Sequence, residues 1–314
     1  MTPEQLSAEQ RAFLIRSEKQ SAILLAAEFD ALRREISDYL ISNLPGEITL
    51  TKIEERNFLV RFLDKLTEEI DILSSPLAAA VARAQKRVIN FAADSLKRFL
   101  PEIRASIFET DKEAIRQLIN RTQRGESLQK AFLRLSEPVA LRAKKELIEG
   151  FSFGEPVQEI ARRINNVSDV GLTRAMTLAR TETNEAYRAA SRDFYRDADI
   201  KKYVWMSVLD VRTCCRCWFL HGKVFRTNKK ISAHPNCRCT LVGKLSNTKI
   251  VSGAERFAAL NDGYQKQIIG SKRWEMYKQG VSFDSFFGLR QVEHFGEQVF
   301  IKPLADFSDR IQVE

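Results

Sequence analysis

The chain has 314 residues, 44% of them hydrophobic and 29% charged, a composition that supports a sizeable core in two or three domains and excludes wholesale disorder. The opening MTPEQLSAEQ lacks the basic-then-apolar profile of a secretory signal, and no apolar run approaches the roughly 18 residues that a membrane span needs. The chain is expected to be cytosolic where it is made, with no membrane partner, and its formal net charge of +9 directs attention to where the basic residues lie.

Thr2 as N-cap and Pro3 at the first helical position open a helix. Along it Leu25, Phe29, Leu32, Ile36 and Leu40 recur at helical spacing, and Pro45-Gly46 predicts its stop. Thr51 and Glu54 form a capping-box pattern for a second helix. Its stripe of Leu59, Leu63, Leu66, Ile70 and Leu73 is expected to run to Ser74-Ser75-Pro76. Further helical stretches are read at about 77–100, 111–121 and 127–149. Gly150-Phe151-Ser152-Phe153-Gly154 marks a break. A short helix with Val157, Ile160, Ala161 and Ile164 follows, then another over about 172–197 that carries Arg180-Thr181-Glu182.

The period changes at Tyr203, where Tyr203-Val204-Trp205-Met206-Ser207-Val208-Leu209 is rich in strand formers. Val224-Phe225 and Thr240-Leu241-Val242 are two more short strand candidates. Beyond Gly253, short helices are expected over 254–260, 264–268 and 271–279, then an irregular tail with Phe286, Phe287, Phe295 and Phe300. The expected fold class is mainly α with a small α+β module. A multi-helix N-terminal body occupies 1–149, a short-stranded Cys/His-rich module 150–249, and a short helical C-terminal segment 250–314.

All five cysteines fall between Cys214 and Cys239. A disulfide framework would scatter them and use an even number, whereas clustering in a cytosolic chain favours a metal site. Cys214 and Cys217 have the two-residue gap of a zinc knuckle, and His234 and Cys237 repeat it sixteen residues later. These residues can enclose a tetrahedral Zn²⁺. Cys214, Cys217 and Cys237 are the favoured ligands, and the fourth position is open between His234 and Cys239, because residues 237 and 239 of a strand point to one side. Cys215 points elsewhere in either arrangement. Alternatives are a packed cluster of buried thiols and a redox pair at Cys214 and Cys217, which the missing βαβ pattern disfavours. Structural zinc meets a physical need, since about forty residues with three short strands have little core of their own. His221 reads as a turn residue before Gly222, and Asp210 and Arg212 as turn caps or a pair.

The same window is strongly basic: residues 201–250 hold eleven Lys and Arg against Asp210 alone, a net of +10. Lys201, Lys202, Arg216, Lys223, Arg226, Lys229, Lys230 and Arg238 are the candidates for sequence-independent contact with phosphates of double-stranded DNA. Simple solvation of a small domain is the plainer reading.

Arg180-Thr181-Glu182 near a helix start, the strand with Trp205, Asp210-x-Arg-Thr-Cys-x-x-Cys, Leu220-x-Gly222 and His234-Pro-Asn-Cys-Arg-Cys together resemble the core of the phage Mu protein F-like head morphogenesis family. The likeness is densest over 170–243 and extends to about 150–280. It implies a minor head component inside the virion, made in the host cytoplasm, associated with the portal vertex and with portal, capsid or scaffold proteins, and in some phages bound to DNA and ejected with it. Some relatives carry a toxin domain after the shared core, and this tail is expected to be too short for one. The chain is therefore expected not to be an enzyme. The main rival is a zinc-supported nuclease in which His221 or His234 activates water. A second rival places Arg180 and Glu182 in a nucleotide-using transferase site, which their helical setting disfavours.

Overall fold

The computed structural model describes residues 2–44, 52–99, 117–153, 155–244 and 250–310. The predicted stop at Pro45-Gly46, Thr51 of the capping pattern, residues 111–116 of the stretch 111–121, and Lys249 lie outside them. The architecture is mainly α with a small α+β module, as the sequence predicts. Among the described residues, four long helices come first: α1 (Pro3–Asn43), α2 (Lys52–Phe99), α3 (Leu128–Phe153) and α4 (Val157–Asp197). The module follows as β1 (Lys202–Met206), α5 (Cys215–Leu220), β2 (Val224–Arg226), β3 (Ile231–Ser232) and β4 (Thr240–Gly243). Three short helices, α6 (Gly253–Ala258), α7 (Asp262–Ile269) and α8 (Ser271–Lys278), precede the strands β5 (Phe287–Val292) and β6 (Gly296–Ile301). Among the described residues, no helix is long and apolar enough to cross a membrane.

These elements divide between two compact units that are discontinuous in sequence. One lies within Ile15–Arg87 and Arg116–Thr183, the other within Met1–Leu14, Val88–Ile115 and Asn184–Glu314.

The first unit is a helical core. The predicted α1 stripe of Leu25, Phe29, Leu32, Ile36 and Leu40 is buried throughout, together with Phe58, Phe62, Leu66, Ile70 and Leu73 of α2. Leu59 and Leu63, which the sequence placed on the stripe, are only partly buried, because the bulkier rings one position earlier take the core face. The break read at Gly150-Phe151-Ser152-Phe153-Gly154 is present, since α3 ends at Phe153 and α4 begins at Val157, whereas two other expected boundaries, at Pro76 and near 172, are absent. Pro76 sits inside α2, where burial of Leu73, Leu77, Ala80 and Val81 on one face outweighs the roughly 3 kcal/mol cost of an interior proline. Gly150 lies in the last turn of α3. A Cβ there would lie 2.4 Å from Ile160 Cγ1, so the glycine allows α3 and α4 to approach closely. Gly171 lies within α4, where a Cβ would meet Phe29 Cε1 at 3.0 Å and Val139 Cγ2 at 3.2 Å. What reads as a linker between two helices is therefore a packing contact on one. Gln85 secures the loop before α3, accepting from the Asn120 amide at 2.8 Å and donating to the Arg121 carbonyl at 3.0 Å.

The second unit contains the module. β1 is the centre of an antiparallel sheet in the order β2-β1-β4, with Val204 opposite both Val224 and Val242. Leu6 of α1 packs with Val204, Met206 and Val242, and Ser7 Oγ meets Thr240 Oγ1 at 2.7 Å. The aromatic tail, read as irregular, forms a hairpin. β5 and β6 pair antiparallel from Phe287–Ile301 to Val292–Gly296, and β3 adds to β6 in parallel through Ile231–Glu297 and Ser232–Gln298. The tail's rings pack inward, Phe287 on Phe219 and Phe283 on Phe257.

Candidate metal centre

Each two-residue gap is closed by the same backbone bond. The Cys217 amide donates to the Cys214 carbonyl at 3.0 Å, and the Cys237 amide donates to the His234 carbonyl at 3.2 Å. Cys214 caps the N-terminus of α5, and Asn236 takes φ +64° in the second turn, a left-handed conformation that asparagine tolerates. Cys215 and Cys217 lie in the first turn of the short helix α5.

The side chains converge. His234 Nε2 lies 3.2 Å from both Cys214 Sγ and Cys217 Sγ, and Cys217 Sγ lies 3.8 Å from Cys237 Sγ. A tetrahedron of Zn–S and Zn–N bonds has edges of about 3.8 Å between sulfurs and about 3.5 Å between sulfur and nitrogen; Cys214, Cys217 and His234 form one group near that spacing, and Cys217, Cys237 and Cys239 form a second that shares Cys217. His234 Nδ1 lies 2.7 Å from the Pro235 carbonyl. A proton on Nδ1 donated there directs the other ring nitrogen at the sulfurs, the outer hydrogen bond usual for a ligating imidazole. These residues fit a divalent soft-borderline metal.

Cys239 is placed differently. It is buried, groups with Cys217 and Cys237, and its thiol donates to Ser207 Oγ at 3.2 Å. Ser207 Oγ in turn donates to the Cys217 carbonyl at 2.7 Å. The hydrogen bond with Cys217 favours the Cys239 thiolate, but the neighbouring Cys237 and burial prevail and push this thiol up. Cys217 is pushed up as well, by its hydrogen bonds with Cys214 and Cys237, whereas hydrogen bonds with Cys217 and Cys239 hold Cys237 down. The hydrogen bond with Cys217 takes Cys214 down to about 4, and contact with Cys214 and then Cys237 takes His234 up to about 10. Two thiolates facing an imidazolium are a charge pattern that a metal cation would take over by replacing the Nε2 proton. Cys215 stays outside the cluster, as predicted.

The sequence does not reveal what holds this centre. From Glu182 to Arg188 every residue of α4 is buried, and its polar groups grip the chain that carries the ligands. Asn184 Nδ2 donates to the Cys237 carbonyl at 2.9 Å, Arg188 Nη1 to the Cys239 carbonyl at 3.2 Å, and Tyr195 Oη to the Leu241 carbonyl at 2.9 Å. Alternate carbonyls of an extended segment are thus read by one helix face. Arg188 also donates from Nε to Glu185 at 3.0 Å, and Arg192 pairs with the same carboxylate at 3.3 Å. Burial works against the Arg188 charge, but Glu185 and then Cys237 outweigh it and hold this guanidinium above its ordinary value.

His221 is a turn residue before Gly222, whose φ is +78°, yet it is buried rather than exposed. Its Nδ1 accepts from the Ser207 amide at 3.0 Å, and burial takes its pKa down to about 4. Asp210 and Arg212 do both things expected of them. The carboxylate caps the Arg212 amide and the Thr213 hydroxyl at 3.0 Å each, and it pairs with the Arg212 guanidinium at 3.3 Å.

The eight candidate phosphate contacts separate into groups. Lys201 pairs with Asp199, Lys223 with Asp284 at 3.0 Å, and Lys229 with Glu297 at 2.9 Å. Lys230 Nζ reaches the His294 carbonyl at 3.4 Å. Lys202, Arg216 and Arg226 are exposed, and Arg238 is half-buried. Asp284 and Glu297 come from beyond the basic window, which is why its local count overstates the charge presented to solvent.

Arg180 and Glu182 lie deep inside α4 rather than near a helix start. Arg180 pairs with Glu18, and Glu182 Oε2 accepts from the Gln123 amide at 2.8 Å. Both groups serve to fasten neighbouring segments.

A helical protein with a Cys/His-centred α+β module is the class that this geometry defines. Residues 142–242, about a third of the chain, match the family described as Phage Mu protein F like protein. The chain is Mu F-like over this stretch, which includes all of α4 and every cysteine, and the match points to phage head morphogenesis. The chain is also similar to the NAD(+)-arginine ADP-ribosyltransferase EFV of Enterococcus faecalis, 26% identical over 149 residues that cover 41% of this chain and 30% of that enzyme. It therefore spans less than a third of that relative's length. No solved structure matches the chain.

Proposed function

We propose that this chain is a minor head protein of a phage, carried inside the virion at the portal vertex, whose module is stapled by structural zinc and contacts packaged DNA through phosphates. The observation that carries the reading is the Mu F-like match over residues 142–242, which falls on the Cys/His centre and the helix that grips it. Cys214, Cys217, His234 and Cys237 are the proposed ligands. The bound ion supplies folding free energy to a sheet of three short strands. Cys239 is assigned a supporting place, as the thiol that fixes Ser207.

A head protein rather than a nuclease is favoured by what the candidate acid-base groups do. His221 is enclosed with its Nδ1 occupied by a backbone amide, Asp210 is spent on a turn, and His234 faces thiols. A transferase reading, which the similarity to the Enterococcus faecalis enzyme brings forward, lacks support from Arg180 and Glu182, since each is engaged in fastening a segment. DNA contact rests on the exposed Lys202, Arg216 and Arg226 and on the sequence-independent attraction of phosphates. The helical body is the proposed surface for portal, capsid or scaffold partners.

Quantitative mass spectrometry of purified full and emptied particles tests the reading. A few copies per full particle are expected. Loss on emptying adds ejection with the DNA, and absence from particles overturns the structural role.

A further inference from the structure

β5 is the outer strand of the β3-β6-β5 sheet, and its outer side is laid out for another strand. The Lys302 amide donates to the Phe286 carbonyl at 2.9 Å, and the Glu297 amide turns away from β5 to the Lys230 carbonyl at 3.0 Å. By the alternation of an antiparallel ladder, Gly288, Arg290 and Val292 direct their backbone groups at β6, whereas Leu289 and Gln291 aim theirs outward. Among the described residues, the backbone bond on that side is a local one, from the Phe287 amide to the Asp284 carbonyl. Sheet edges are usually blunted by a proline, a bulge or a covering segment. β5 reads FGLRQV without proline, and its register with β6 runs unbroken from Phe287 to Val292. Leu289 shares a face of the sheet with the buried Phe287 and Val299, yet it is 37% exposed because it stands at the margin.

We propose that β5 is a dimer edge: two copies of this chain pair antiparallel about Leu289, so that β3-β6-β5 continues into the second copy's β5-β6-β3. The inference depends on neither the zinc reading nor the head-protein reading. Outward amides and carbonyls at alternate residues fit an extended backbone, and the side chains of β5 suit a second β5 in one register. Centred on Arg290, the pairing would set two guanidinium groups directly opposite, which is unfavourable. Centred on Gln291, it would place Leu289 against Glu293, whose side chain is 90% exposed. Farther along, His294 takes φ +63° and turns the chain out of the strand, and farther back the Phe287 amide is already engaged. Centred on Leu289, the two leucines meet across the two-fold axis and extend the apolar face of Val299. Arg290 then stands opposite Gly288, which has no side chain to oppose it, and the two guanidinium groups lie diagonally apart. Gly288 is held to glycine within its own sheet, since a Cβ there would lie 2.5 Å from Phe300 Cε1.

The test is sedimentation velocity of the nuclease-treated full chain over a concentration series. The wild type is expected to pass from monomer to dimer as concentration rises. Leu289→Pro removes an outward N–H that the β5–β6 ladder does not use, so it is expected to keep the wild-type near-UV circular dichroism and to remain monomeric. Leu289→Lys brings two ammonium groups together at the axis and is expected to weaken the dimer about tenfold or more. If Leu289→Pro does not accumulate folded, Leu289→Lys carries the test. Mild oxidation reads the register. Leu289→Cys is expected to give a disulfide-linked dimer, whereas Gln291→Cys, which lies opposite Phe287 of the second copy, is expected to stay at the wild-type background. A wild type that is monomeric throughout, a dimer of unchanged strength in the folded variants at 289, or cross-linking through Gln291→Cys but not Leu289→Cys overturns the pairing.

Discussion

Asn184 donates its side-chain amide to the carbonyl oxygen of Cys237 at 2.9 Å, and both groups are buried. The bond ties α4 to the residue that closes the second two-residue turn. Asn184→Ala strands that carbonyl away from water, which costs on the order of 1–3 kcal/mol. The expected result is a lower melting temperature of the module, followed through Trp205 and Trp218 fluorescence. Ser152→Ala, which removes an exposed bond to the Ile148 carbonyl, is expected to leave stability within about 0.5 kcal/mol. Equal melting of both variants and wild type would show that the Asn184 bond contributes nothing.

Metal removal separates ligands from neighbours. Cys214→Ser and Cys217→Ala are expected to reduce bound zinc from one equivalent to near none by elemental analysis, and to melt the module together with the loss. Cys215→Ser and Cys239→Ser are expected to keep one equivalent. Retention of zinc by Cys217→Ala would remove that residue from the ligand set, since its sulfur stands between His234 and Cys237.

Gly253 is fixed by space. A Cβ at this position would lie 1.7 Å from the Trp218 carbonyl oxygen, whereas at Gly263 the nearest contact is Asn261 Oδ1 at 3.4 Å. Gly253→Ala is therefore expected to destabilise the second unit by about 3 kcal/mol, the upper end of what overpacking usually costs. Gly263→Ala lies in α7 and is expected to stabilise by roughly 0.5 kcal/mol through helix propensity. Denaturant melts of the two variants check the contrast, and a tolerated Gly253→Ala would contradict the packing of α6 against α5.

Two carboxylates hold back the basic surface. Asp284 and Glu297 pair with Lys223 and Lys229. Asp284→Asn with Glu297→Gln is expected to strengthen binding to non-specific duplex DNA and to steepen its salt dependence by up to about two counterions. Lys202→Glu with Arg226→Glu is expected to do the reverse. Fluorescence anisotropy across a salt series reads both, and unchanged slopes in both variants would rule out this face as the phosphate contact.

What the sequence disclosed follows from how each feature is encoded. The α1 stripe and the two-residue gaps are local patterns, and both appear where periodicity and spacing put them. Pro76 misled because burial of one helix face outweighs its local cost, and the boundary read near 172 is absent because Phe29, distant in sequence, packs on Gly171. The grip of Asn184, Arg188 and Tyr195 on alternate carbonyls had one local sign, a helix segment whose charged residues interrupt its apolar face. Amphipathic reasoning turns such charges outward. The hairpin of β5 and β6 stayed hidden because its strands are mostly half-exposed and its third partner, β3, is two residues long.

That parallel pairing of β3 with β6 sets an order in time. Every strand of the β2-β1-β4 sheet has been synthesised once Gly243 has been added, but Ile231 and Ser232 find their partners only when Glu297 and Gln298 arrive. At roughly 5–20 residues per second on the ribosome, the emerging module spends several seconds with one edge unsealed. The turns that carry Cys214, Cys217, His234 and Cys237 can close in that interval, before the hairpin is made. A nascent chain halted between residues 244 and 295 should therefore protect its cysteines from alkylation in the presence of zinc and still leave the β3 segment open to protease.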